Sequence, residues 1–308
     1  MQGEAVRVPR LFEKAPRERL AILRILTTGY ALGFLIGYTP NLLSLTHLGP
    51  AQFTPVGPVS WMGHFIEGPL SQGALVAILA LTASTGFCAL FGVFYRFSGP
   101  IFAALLLFIT SYRSSFGMIF HTENLLVFHL GVLALFPAAD AYSYDAGRRE
   151  RGDEPRLVYG APLGLISLLT VTSYLLAGIA KLRYGGASWI DGEVLLSHIA
   201  WDNLRKLELG SIHSPLGALL CRFPSIFGPL AWLSLAFELF APLALLGPRL
   251  ARIWVASAIL FHLGVALVMA IVFAYPLFGF AFLSFFSVER PARSILERFR
   301  ARRLVRAV

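Results

Sequence analysis

Apolar residues run along this chain in blocks too long for strands and too continuous for the stripe of a water-soluble amphipathic helix. A membrane-crossing helix needs about 20 predominantly apolar residues. Blocks approaching or reaching that length cover 20–38, 73–93, 97–110, 124–139, 159–180 and 228–246. A last stretch, 253–288, is too long for one helix and contains Pro276, so it divides into two. The pattern therefore predicts an all-α, polytopic integral membrane bundle of about eight transmembrane helices. No small-residue cleavage site follows the first block, so it reads as a retained span, not a removed leader.

Charge tests the count. With eight spans and a cytoplasmic N-terminus, the inner segments hold 19 Lys and Arg and the outer segments 6. That excess is what cytoplasmic loops carry. Seven spans would put the arginine-rich tail (RPARSILERFRARRLVR) outside, against the rule. Both termini are therefore expected in the cytoplasm, with a basic start over 1–19, one membrane domain over 20–288 and a basic tail over 289–308. Two outer segments are long. Residues 39–72 are rich in Pro and Gly and include His47, Trp61 and His64. Residues 183–227 contain SWIDGEVLLSHIAWDNLRKLEL, in which Val194, Leu195, Trp201 and Leu204 recur at helical spacing. Asp191 is a candidate cap for this helix, and two tryptophans point to an interfacial position between spans five and six.

Composition agrees: the chain is 56% hydrophobic and 14% charged, whereas a soluble domain has about a quarter of its residues charged. A soluble α/β enzyme, a secreted disulfide domain and a disordered basic factor are excluded. The net charge of +9 and pI near 9.9 do not point to nucleic acid, because the basic residues lie where membrane topology demands them. Their setting suggests a bacterial plasma (inner) membrane. Cys88 and Cys221 form no CxxC and read as small buried hydrophobes in preference to a bridge.

Ionisable residues inside apolar segments are expensive and mark candidate function. His129, Lys181, Glu238 and His262 are four such residues. For Glu238 and His262 the alternative is an interhelical bond that fixes packing, and for His129 a satisfied core position. Lys181, one of only three lysines, ends SYLLAGIAKL, where an amine suits either proton transfer or snorkelling to headgroups. The stretch SYRSSFG…HTEN (111–124) breaks the apolar pattern and sets Arg113, His121, Glu123 and Asn124 in an irregular polar wall. No spacing of a metal site, phosphate loop or nucleophile elbow occurs, and no metal is expected.

The strings ERLAILRILTTGYALG, SYRSSFGMIFHTENLLVFHLGVLALFPAADAYSYD, YLLAGIAKLRYGGASWIDG and FELFAPLALL…ILFHLGVALVM resemble the horizontally transferred transmembrane (HTTM) domain. This is the membrane portion shared by vitamin K-dependent gamma-glutamyl carboxylase and smaller bacterial relatives. The resemblance runs from about residue 15 to 288, in order. It implies chemistry in which a lysine amine deprotonates reduced vitamin K. With oxygen this generates a strong base for a glutamate γ-carbon, to which CO2 adds. Around that lysine the family carries Gly-x-x-Lys-Leu, then Trp, an apolar residue, an acid and Gly. Gly178, Lys181 and Leu182 match, as do Trp189, Ile190, Asp191 and Gly192 after three extra residues. Tyr95, Arg96, Asn124, Asp140, Phe261 and His262 also match, and Glu238 stands where the family has an acid after Phe.

The resemblance thus implies Lys181 as base, with His262 and Glu238 as further catalytic candidates. Residues expected to hold a reduced vitamin K or another membrane hydroquinone are His121, Asn124, Arg113, Trp189 and His129. Two departures qualify it: Leu125 replaces the histidine that follows the family's asparagine, and the carboxylase's lumenal domain has no counterpart before Val308. What is then implied is a quinol-handling core that acts at the outer face on a different peptide or protein substrate, or with a partner. The competing expectation is a non-catalytic membrane component that assists maturation or export of a peptide or redox partner. A transporter is third, because neither inverted repeats nor paired broken helices are visible.

Overall fold

A computed structural model describes residues 13–62, 68–148, 154–291 and 294. The basic start before Glu13, His64 and the tail from 295 onward lie outside the described residues. Among those described, every regular element is helical, and the one β-type pairing is an isolated bridge between Ala15 and Arg156. The chain falls into two compact units, 13–166 with 286–291, and 167–285.

The first unit holds α1 (Arg17–Ser44), the short α2 (Pro58–Met62), α3 (Gln72–Phe91), α4 (Tyr95–Ser114), α5 (Asn124–Leu135) and the start of α6 (Leu157–Ile190). α1 packs on α3 and α5, and α4 packs on the same two helices. Leu35, Leu42, Leu75, Leu79, Ile109 and Tyr112 form a core shared by α1, α3 and α4. The helix ends follow from local chemistry. Pro16 precedes α1, where a missing N–H costs nothing, and Glu18 lies in its first turn. Ser71 caps α3 by accepting from the Ala74 N–H, and Gly92 ends it in the left-handed region. The start of α4 is capped from a distance: the Asp145 carboxylate accepts the N–H groups of Phe94 and Tyr95 at 3.1 and 2.9 Å.

Arg24 is completely buried in α1. Its guanidinium donates to the carbonyls of Tyr142 (2.7 Å) and Ala89 (3.3 Å) and lies 5.6 Å from the Tyr95 ring centroid. The charge is thus held by peptide dipoles and an aromatic face, which ties α1 to the end of α3 and to the segment after α5. A second tie joins the ends of this unit. Arg19 donates to both oxygens of Glu289 at 2.8 Å and to Ser287 at 3.0 Å. Burial works against the Glu289 carboxylate, but the Arg19 hydrogen bonds outweigh it and hold its pKa below the ordinary 4.5. A carboxylate depressed in the folded state stabilises above its unfolded pKa and loses that contribution as pH falls through the folded one. Acid titration of unfolding should therefore show a loss of stability beginning below about pH 5, and Glu289→Gln should flatten that part of the profile.

The second unit holds the rest of α6, α7 (Glu193–Glu208), α8 (Pro215–Leu220), α9 (Phe227–Leu239), α10 (Pro248–Met269) and α11 (Ala274–Leu277). α1, α3, α6 and α10 are long and apolar enough to cross a membrane, and α5 and α9 are shorter apolar helices. Several expected boundaries move. α6 runs ten residues past Ala180 to Ile190, with a kink where Gly186 leaves helical geometry at φ 52°. Helix α9 stops at Leu239 and gives way to a 3-10 turn, Ala241–Leu245, in which Pro242 cannot supply an α-helical N–H. The expected division at Pro276 falls earlier: α10 ends at Met269, where Ala270 turns left-handed. Beyond it the chain forms the four-residue α11 and a 3-10 segment, Phe280–Phe285, not an eighth long helix. Asp191 is not the cap of α7; that position belongs to Gly192, at φ 85°.

Candidate functional site

Tyr174, Gly178 and Lys181 recur at intervals of four and three, which aligns them on one face of α6. Gly178 permits close approach of α9: a Cβ there would lie 3.0 Å from the Leu239 side chain and 3.1 Å from the Glu238 Cβ. At that crossing the Lys181 Nζ donates to the Glu238 Oε1 at 2.7 Å. The carboxylate is almost fully enclosed, with 4% of its side chain exposed against 19% for the lysine. Beyond the Gly186 kink the chain brings Trp189 back over the amine, with its ring centroid 4.8 Å from Nζ, and Phe261 of α10 faces it at 5.5 Å. Lys181 therefore does not snorkel. One carboxylate and two aromatic faces hold it.

His262, next to Phe261, shares a hydrogen bond at Nε2 with the Tyr174 hydroxyl at 2.7 Å. Which of the two groups donates is set by the imidazole tautomer. Tyr174 is itself packed edge-on against Phe237 and Trp254, each with ring centroids 5.2 Å away. Three buried polar atoms here have no hydrogen-bond partner among the described residues: Glu238 Oε2, Trp189 Nε1 and His262 Nδ1. Buried polar groups are nearly always paired. An unpaired carboxylate oxygen, an unpaired indole N–H and an unpaired imidazole nitrogen therefore mark a place suited to a ligand that both donates and accepts.

Lys181, Glu238, Trp189 and His262, expected separately from the sequence, are thus brought together in one unit. Tyr174 was not anticipated, although its spacing of seven from Lys181 put it two turns away on the same face. Trp189 was expected near headgroups, yet it is buried.

Arg113, His121, Asn124 and His129 belong to the other unit. α4 continues through Ser114, so the first part of the expected irregular wall is helical. Arg113 is buried, ion-paired to Glu123 at 3.1 Å and stacked between the rings of Tyr38 (4.2 Å) and Phe120 (3.8 Å). Asn124 opens α5 and is exposed, as is His121, while His129 is buried in the middle of that helix. Cys88 and Cys221 are both free thiols, and Cys88 is exposed, contrary to a buried reading.

Neither a curated protein nor a solved structure matches the chain. The HTTM domain matches residues 13–289, which takes in both groups of candidate residues. With four helices apolar and long enough to cross a bilayer, the chain is a membrane protein and belongs to the HTTM domain family.

Proposed function

We propose that the protein carries out hydroquinone-dependent chemistry of the vitamin K-dependent carboxylase type, with Lys181 as the proton-accepting base, on the side that the charge pattern assigns to the outer face. The observation that carries this reading is the enclosed Lys181–Glu238 pair, beside which Glu238 Oε2 and Trp189 Nε1 are left unpaired. These residues fit a reduced quinone: Oε2 would accept from a phenolic O–H, the indole N–H would donate to an oxygen, and the Trp189 and Phe261 rings would line an aromatic ring. When bound, such a group would supply an acidic hydroxyl and, with oxygen, a base strong enough to remove a proton from carbon.

The chain's own residues have three tasks. Lys181 hands its own proton to Glu238 Oε1, already at 2.7 Å, and accepts the one from the bound hydroxyl, so the carboxyl carries the displaced proton. The surrounding aromatic rings exclude water, so that proton transfer takes place between fixed partners. Tyr174 and His262 Nε2 share a hydrogen bond that fixes the orientation of the imidazole and leaves Nδ1 available to a bound group.

The test incubates the purified, detergent-solubilised protein with a reduced naphthoquinone and oxygen and looks for the quinone epoxide by mass spectrometry. The natural protein should form it. Lys181→Arg, which keeps the charge pair but lacks an amine that can give up its proton, should form at least about 100-fold less, with unchanged helical content. No epoxide from the folded natural protein with several quinones would overturn the reading. The Lys181–Glu238 pair would then be a packing contact between α6 and α9, in a membrane component that assists a peptide or redox partner.

A further inference from the structure

Helix α7 is built the wrong way round for a surface in water. A helix on a water-soluble protein turns its apolar stripe inward and its charges outward. In α7 the buried residues are Ile199, Asp202 and Asn203, whereas Trp201 and Leu204 are 62% and 55% exposed. Leu207, on the same side, is exposed as well, and Ala200 completes the stripe. The exposed apolar surface continues past the helix through Ile212, Leu216, Leu219 and Phe223.

The inward polar side chains are fully employed. The last turn of α10 leaves carbonyls with no partner in the helix. Ser214 Oγ donates to the Leu267 carbonyl, Asn203 Nδ2 to Val268 at 3.2 Å, and Lys206 Nζ to Met269. Asp202 neutralises Lys206 at 2.8 Å, and Asn203 Oδ1 accepts the Ser214 N–H at 2.6 Å. α7 and α8 therefore form a cap that is locked by its polar face to the end of a helix apolar enough to span a membrane. That helix exposes Leu260, Leu263 and Leu267 in successive turns, and Leu267 is one of the residues whose carbonyl is capped. The apolar ridge of α7–α8 thus extends the lipid-facing side of α10.

We infer that the ridge from Trp201 to Phe223 is embedded in the bilayer at the boundary between acyl chains and headgroups, and that its occupant is lipid. Lipid would take Trp201, Leu204, Leu207, Ile212, Leu216, Leu219 and Phe223, seven large apolar side chains, out of water, and none of that gain is recovered if the ridge faces water. The charges on the helix support this depth. Glu193 and Glu208 stand at its two ends, and the Arg205 guanidinium, which donates to Asp202 at 3.0 Å, lies 5.3 Å from the Trp201 ring centroid with 32% of its side chain left exposed. Sixteen residues with a polar inner face line the interface; they do not cross it.

Spin labels would test this in the full chain reconstituted in vesicles of phosphatidylcholine and phosphatidylglycerol. Single cysteines replace Leu204, Ile212 or Leu219 in a Cys88→Ser/Cys221→Ser background, with Leu263→Cys as the lipid reference. Size exclusion and circular dichroism confirm the fold of each variant. The labels should collide with oxygen in preference to a water-soluble nickel chelate, and the balance should shift toward oxygen as at Leu263. Nickel collisions at the level of an aqueous loop would overturn the inference. So would exclusion of both probes together with cross-linking between copies, which would make the ridge a contact with a second chain.

Discussion

Replacing Lys181 with methionine should destabilise the protein by about 3–5 kcal/mol, the usual cost of leaving one member of a buried ion pair without its partner. The reason lies in Glu238, whose side chain is 4% exposed and whose second oxygen already has no partner among the described residues. The double variant Lys181→Met/Glu238→Leu should recover most of that loss, because two apolar side chains of similar volume can replace such a pair at little cost. Denaturant unfolding in detergent would measure both. This separates the stability of the site from its chemistry: the double variant should fold and yet form no epoxide. If Lys181→Met alone were neutral, the pair would not be enclosed as described.

The second large effect is expected at Gly192→Ala. Gly192 adopts φ 85°, which costs a residue with a Cβ about 1–3 kcal/mol. The space is also occupied, since a Cβ there would lie 2.3 Å from the Gly228 nitrogen and the Phe227 carbonyl carbon. Backbone cannot rotate aside as a side chain can, so α7 would have to separate from the start of α9. The melting temperature should fall well beyond the shift from strain alone, or the protein should fail to accumulate. Gly186→Ala is the control. Its φ is 52°, but no atom lies within 4 Å of the added Cβ, so only the strain should appear. Equal effects at the two positions would contradict the close contact at Gly192.

Much of the fold could be read from apolar blocks, because a helix in lipid must be apolar along its whole length, not along one stripe. α1, α3, α6 and α10 were legible in this way. Their ends were not, because caps depend on backbone geometry. Asp191 looked like a cap, but Gly192 in the left-handed region carries the turn. Pro276 looked like the break between two helices, but the chain had already left α10 at Ala270. At the candidate site the individual residues stood out, since a Lys, a Glu and a His are costly in apolar segments. Their pairing did not. Lys181 and Glu238 are 57 positions apart, and helical periodicity gives each helix a face without saying which faces meet. α7 shows the same limit: its spacing and two tryptophans suggested an interfacial helix, but not the polar inner face that locks it to the end of α10.

The burial of Arg24 has a consequence for how the protein is made. Its two carbonyl partners belong to Ala89 and Tyr142, 65 and 118 residues further along the chain. When α1 leaves the ribosome and enters the membrane, neither exists. Arg24 is the eighth of the 28 residues of α1, so it disfavours insertion by less than the about 2.5–3.5 kcal/mol of an arginine at a helix centre, and the apolar residues that follow it must carry the helix in regardless. The first helix therefore spends the synthesis of more than a hundred residues as an incompletely satisfied intermediate, and the segment after α5 is what completes it. A chain truncated before Tyr142 would leave that helix as a ready substrate for membrane quality control.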